Sequence, residues 1–225
     1  MKIHIITAFL SVISVSCASA QLYNWSVMGE RCQAVSFQTG LDNGIIFGAA
    51  YGYRLPGRLP LVVSGEYSFP AGSSVADDHK VKAGIQAQLL KAGSLRVSGE
   101  LYGLYRRFNN DLTGMVNFGS YSAISIGWYR PGFFVAGQFG FDKAIVTHFR
   151  HHDSYRELFP GVQDGWYQPA TGGNYNYGIA AGYSLARFDM NLRAGKAIAE
   201  DLKTRPFVPF YAVLGCNLRF GKKME

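Results

Sequence analysis

From residue 31 to the end of the chain, apolar and polar positions alternate with a period of two, the signature of strands with two unlike faces. The clearest run is 175–187. Tyr175, Tyr177, Ile179, Ala181, Tyr183 and Leu185 share one face, and Asn176, Gly178, Ala180, Gly182 and Ser184 the other. Segment 81–89 sets Val81, Ala83, Ile85, Ala87 and Leu89 against Lys82, Gly84, Gln86 and Gln88. Segment 116–130 sets Val116, Phe118, Ile124, Ile126 and Trp128 against Asn117, Gly119, Tyr121, Ala123 and Ser125. Further strands are predicted over 31–39, 44–54, 60–69, 95–108, 133–146, 188–198 and 207–220, which makes about ten. Most reach the ~9–11 residues that a tilted strand needs to cross a bilayer.

The connections alternate in length. Those after even-numbered strands are tight: Leu55-Pro56-Gly57-Arg58, Lys91-Ala92-Gly93-Ser94, Arg130-Pro131-Gly132 and a reversal at Ala186-Arg187. Those after odd-numbered strands are longer and more polar, at 70–80, 109–115, 147–174 and 199–206, with Leu41-Asp42-Asn43-Gly44 the short exception. Short turns at one end and long loops at the other are the pattern of outer-membrane barrels, whose short end is periplasmic. An even strand count then leaves both termini in the periplasm.

A soluble barrel also alternates, but its polar face meets water and carries long charged side chains. Here that face is mostly Gly, Ala, Ser, Asn and Gln, which suit a narrow lumen, while Tyr, Trp and Phe gather near the ends of the apolar face. Composition agrees, with 48% hydrophobic residues, 15% aromatics and 27 glycines. After the N-terminal segment no apolar run approaches the ~18 residues of a spanning helix. The expected fold is an all-β, antiparallel, up-and-down transmembrane β-barrel of about ten strands, with eight as the alternative.

The N-terminus fixes the route. Lys2, the apolar stretch Ile5 to Val15 and the Ala18-Ser19-Ala20 site predict a cleaved signal peptide over 1–20, so the barrel domain is 21–225. Cys17 has Ser14 three residues before it, where lipid attachment wants a large aliphatic residue, so no lipid anchor is expected. The net charge of +7 is spread over strand ends, turns and the small-residue face. That excludes the clustered basic surface of a nucleic-acid binder and points to anionic lipid as the neighbour.

The last strand alternates Phe210, Ala212, Leu214, Cys216, Leu218 and Phe220 with Tyr211, Val213, Gly215, Asn217 and Arg219. It resembles the closing strand of small Gram-negative outer-membrane β-barrel proteins, which typically ends in Phe and is read by the barrel-insertion machinery. The tail Gly221-Lys222-Lys223-Met224-Glu225 departs from that ending. Arg31-Cys32, Thr39-Gly40, Phe47-Gly48-Ala49-Ala50 and Gly65-Glu66-Tyr67 resemble fragments of conjugal-transfer outer-membrane proteins. That resemblance implies a place in a transfer or secretion assembly.

Three groups of residues are candidates for function. Strand parity points Glu66, Lys82, Arg96, Glu100, Arg106, Asp142, Asp189, Arg193 and Arg219 into the lumen, as an ion-pair network that fills it or as a path for a small solute. The 147–174 loop carries His148, His151, His152, Asp153, Trp166 and Tyr167, read first as a surface loop that covers the mouth or meets a partner. Its imidazoles would suit zinc or copper, but their spacing matches no ligand pattern, and no metal or cofactor is expected. His152-Asp153-Ser154 resembles the His-x-Ser pair of outer-membrane lipid A deacylases. By that resemblance Ser154 would be the nucleophile and His152 the base, although the family's pair lies on a lipid-facing strand. Asp77-Asp78 with His79, and Glu200-Asp201, could bind divalent cations but read first as solvated surface charge. Cys32 and Cys216 fall on opposite faces of the first and last strands, so no disulfide is expected between them. The functional expectation is a non-enzymatic structural or interaction barrel at the cell surface. Its partners are outer-membrane lipid and another envelope protein, with no nucleic acid; a lipid A-type acyl hydrolase and a narrow solute channel are the alternatives.

Overall fold

The computed structural model describes residues 22–28, 31–42, 44–71, 78–169, 172–204, 206 and 208–221. The predicted signal peptide, Cys17 and Asp77 lie outside them. In chain order the elements are β1 (Gln33–Asp42), β2 (Ile45–Leu55), β3 (Leu61–Pro70), β4 (His79–Ala92), β5 (Leu95–Asn109), β6 (Thr113–Tyr129) and β7 (Phe133–His151). They continue with α1 (Asp153–Leu158), β8 (Gly165–Tyr167), β9 (Gly173–Ser184), β10 (Phe188–Ala199) and β11 (Phe210–Phe220). Every barrel strand pairs antiparallel with its neighbours, and β7 passes directly to β9. The barrel closes where β1 meets β11 in an unbroken ladder from Gln33 opposite Phe220 to Asp42 opposite Tyr211. Ten strands therefore form a closed barrel and β8 is a short addition at its rim. Closure removes the sheet edges that would otherwise leave backbone groups unpaired in lipid.

The two faces divide as the alternation requires. Phe37, Leu101, Ile124, Val135, Ile179, Leu192 and Leu214 are exposed on the outside, while Ser36, Lys82, Gln86, Asp142, Asp189 and Arg219 are buried within. An exterior of aliphatic and aromatic side chains around an interior of ion pairs and amides is the arrangement of a barrel that crosses a bilayer. Tight turns hold one end. Gly93, at φ 61°, supplies the left-handed residue of the β4–β5 hairpin, a conformation that costs glycine nothing.

Two differences from the pattern reading have physical causes. His148 and His151 are strand residues, because β7 runs to His151, and Trp166 and Tyr167 form β8, which pairs with Thr147–Phe149. A bulge between Phe118 and Gly119 skips Ile145 and reverses the parity of β7 beyond it. The alternation thus breaks just where the strand continues. Inside the barrel, the small-residue face also carries the large rings Tyr102, Tyr121, Tyr129, Phe134 and Tyr211. Glycines on facing strands make room for them. A Cβ on Gly140 would stand 2.6 Å from the Tyr121 hydroxyl, and one on Gly195 would stand 2.6 Å from that of Tyr211.

Candidate functional site: a charged lumen, an N-terminal plug and an aromatic rim

The segment 22–28, which has no period-two pattern, turns into the short-turn end of the barrel. Tyr23, Trp25, Val27 and Met28 are all buried there, and Leu22, Tyr23, Trp25 and Met28 pack with Val62, Tyr129, Phe134 and Ala180 from the wall. Polar groups of the wall take up its backbone carbonyls. Asn217 Nδ2 donates to the Leu22 carbonyl at 2.6 Å, Arg96 to that of Trp25 at 3.0 Å and Arg219 to that of Val27 at 3.2 Å. Asn24 Nδ2 donates in turn to the Arg130 carbonyl and to Ser184 Oγ, each at 2.8 Å. These contacts reach β5, the β6–β7 turn, β9 and β11, so the segment lies across the base as a plug.

Above the plug the lumenal charges form tiers. At the base, Arg219 Nε faces Asp189 Oδ2 at 3.0 Å, and both side chains are almost fully enclosed. Arg219 also donates to the Leu185 carbonyl at 2.8 Å, and Arg96 to Gln88 Oε1 at 2.6 Å. In the middle, Lys82 Nζ lies 3.9 Å from Glu66 Oε1, which also accepts from Gln38 Nε2 at 2.8 Å. The Lys82 ammonium stands 5.3 Å from the centre of the Tyr121 ring, and the Tyr102 hydroxyl links Ser64 and Gln86. At the long-loop end Arg106 pairs with Asp142, and Lys80 with Asp42 at 3.6 Å. Glu100 and Arg193 are buried as well, with Glu100 Oε2 and Arg193 Nε and Nη1 lacking hydrogen-bond partners among the described residues. The paired charges are held by their partners, because an unpaired one at this depth would face a large desolvation cost. Glu66, Lys82, Glu100, Asp142, Asp189, Arg193 and Arg219 are buried inside the barrel, and Arg96 and Arg106 are half-buried. Sequence parity did not find Asp42 and Lys80, whose side chains meet across the lumen from β1 and β4, two strands that are not neighbours in the sheet.

The rim at the long-loop end is a separate site. On the outer face, ring contacts of 6.1 Å or less run from Phe47 through Phe69, Tyr67, His79, Tyr105, Phe118 and Trp166 to His148. Beyond it, Asp164 braces the β7–β8 reversal. Its Oδ1 accepts from the His151 backbone N–H at 2.9 Å and meets His151 Nδ1 at 2.9 Å, and its Oδ2 accepts from Arg156 at 2.6 Å. The His151 N–H and ring, with the Arg156 guanidinium, hold the Asp164 carboxyl below the usual carboxylate range.

His152 and Ser154 are not brought together. The His152 ring meets Asn109 Oδ1 at 3.2 Å, while the Ser154 hydroxyl donates to the Asp111 carbonyl at 2.7 Å. Asp153 opens α1, a helix with no buried residue. Asp201 accepts from the Lys203 and Thr204 backbones, which with the Thr204 hydroxyl lower its carboxyl, and Glu200 pairs with Lys143 at 2.5 Å. Among the described residues no group of three or more His, Cys, Asp and Glu could hold a metal ion. Cys32 is buried, Cys216 is exposed, and both are free.

No protein-family model matches the chain. No curated protein matches it either. Among solved structures it is similar to the KdgM porin, at 8% identity and a TM-score of 0.45, over 83% of this chain and 99% of that one. It is also similar to the N-terminal β-barrel domain of OprF from Pseudomonas aeruginosa, at 11% identity and a TM-score of 0.35, over 85% and 98% of the two chains. The outer membrane protease OmpT from Escherichia coli is similar at 10% identity and a TM-score of 0.40, over 85% and 94%.

Proposed function

We propose that this chain is a closed outer-membrane barrel, periplasmic at its short-turn end, that serves at the cell surface as a structural or interaction protein and not as a channel. The observation that carries this reading is the plug. Residues 22–28 fill the base of a lumen already crossed by the Lys82–Glu66 and Arg106–Asp142 pairs. A ten-stranded barrel has little free lumen once such side chains occupy it. The work then falls to the outer rim, where the aromatic strip lies on the outer face of the wall and β8 adds to β7, with outer-membrane lipid and another envelope protein as partners. A place in a transfer or secretion assembly rests on the sequence fragments named above.

The test is conductance of the folded protein in a planar lipid bilayer. The closed-barrel reading predicts no steady ion current. Reproducible single-channel steps from the full chain would favour the narrow solute channel instead.

A further inference from the structure

Along the outer face, at the upper edge of the aromatic strip, register places His79, Arg107, Val116, His148 and Trp166 in one lateral row across β4 to β8. The next row outward holds Asn109, Gly114 and Arg150. The two rows form a shallow seat. Val116 and Gly114 make a low floor, with Arg107 on one side and His148 and Arg150 on the other. Two interstrand spacings, about 10 Å, separate the walls, which two arginine side chains can span.

Arg107 and Arg150 are both exposed, and neither pairs with a carboxylate among the described residues. Carboxylates on neighbouring segments are engaged elsewhere: Asp164 holds His151 and Arg156, and Asp78 accepts from the Asn109 backbone at 3.0 Å. Asp111, Asp153 and Glu157 belong to the connections past the strand ends. Directly below the seat, the Tyr105 and Phe118 rings lie tilted with centres 5.4 Å apart, and the Trp166 ring, level with the seat, reaches down to 6.1 Å from Phe118. Aromatic rings mark the level of the bilayer interface, so unpaired cations one row above them stand where lipid phosphates lie.

We propose that this seat binds a phosphorylated glycolipid of the outer leaflet. Its phosphate is clamped between Arg107 and Arg150 with His148 beside them, and its acyl chains run down the Tyr105–Phe118–Trp166 strip. Guanidinium groups suit this task because their forked donors match phosphate oxygens. The assignment rests on the outer-membrane reading given above.

The test uses the full folded chain in detergent, with native mass spectrometry of added diphosphoryl lipid A and of its dephosphorylated counterpart. The Arg107→Gln/Arg150→Gln variant should bind diphosphoryl lipid A at least tenfold more weakly than the parent. Dephosphorylated lipid A should bind both proteins equally weakly, and Arg58→Gln/Lys91→Gln, at the opposite turns, should bind like the parent. If the double variant does not fold, each single variant should still show about a threefold loss. Equal binding by parent and variant, indifference to the phosphates, or inorganic phosphate binding as tightly as the glycolipid would each overturn the proposal. A boiling-dependent shift in gel mobility, read on the same samples, separates these outcomes from failure of the barrel itself.

Discussion

Asp189 and Arg219 offer the sharpest test of whether the base of the lumen is dry. Their side chains are 1% and 2% exposed and meet at 3.0 Å, and Arg219 also holds the Val27 and Leu185 carbonyls. Asp189→Ala would leave an enclosed guanidinium that keeps its carbonyl partners but has lost the Asp189 carboxylate. Arg219→Met would leave a carboxylate in the same position. Breaking a buried pair from either side costs about 3–5 kcal/mol, so independent effects would sum to roughly 6–10 kcal/mol. The double variant removes both charges and mainly loses two hydrogen bonds, at about 1 kcal/mol each with some further cavity cost, for a total of roughly 2–4 kcal/mol. The cycle should therefore show a coupling of at least ~2 kcal/mol. Urea unfolding of the barrel in phospholipid vesicles, followed by tryptophan fluorescence, measures all four proteins. Strict additivity, or a loss below about 1 kcal/mol for Asp189→Ala, would refute the reasoning and mean that water reaches the pair.

Other consequences follow from the same contacts. In a Cys32→Ser/Cys216→Ser background, Met28→Cys, at a position 1% exposed, should resist a maleimide in the folded protein and react after boiling, whereas Leu59→Cys in the β2–β3 turn should react in both states; equal reactivity at the two sites would argue against a seated plug. Gly182→Val would drive a side chain into the Phe134 ring and should destabilise the barrel by about 1–3 kcal/mol. Pairing it with Phe134→Ala should recover part of that loss in the same unfolding assay. The Asp164 carboxyl is held below its ordinary 3.8, so its stabilisation of the β7–β8 reversal is present above that pH and is lost as the pH falls through the lower folded value. Asp164→Asn should bring the same loosening at neutral pH, read from Trp166 fluorescence in a Trp25→Phe/Trp128→Phe background. Ser154, whose hydroxyl is taken up by the Asp111 carbonyl, should be replaceable by Ala with no change in acyl release from lipid A.

The ten barrel strands were legible because a lipid exterior and a crowded lumen force period two on every segment that lies between them. Residues 175–187 and 81–89 obey it almost without exception. The end of β7 was not legible, since one bulge opposite Ile145 turns His148 and Arg150 outward against the parity of Phe139 and Phe141. The plug was illegible for another reason. Nothing in the run from Leu22 to Met28 is periodic, and its burial comes from Arg96, Asn217 and Arg219, far away in sequence. Parity could show that Lys82 and Asp142 face inward but not what they meet. The partners depend on register, and the glycines that admit Tyr121 and Tyr211 become meaningful only once register is known.

The central claim is that the apolar wall faces lipid and the polar wall faces inward. Gel mobility of the protein taken from purified outer membranes, with and without boiling, tests it most directly. The account predicts recovery in that fraction and a clear shift on boiling, as the closed barrel opens. Recovery as a soluble periplasmic protein with no shift would contradict it, because the aliphatic and aromatic face would then have to line a ligand cavity.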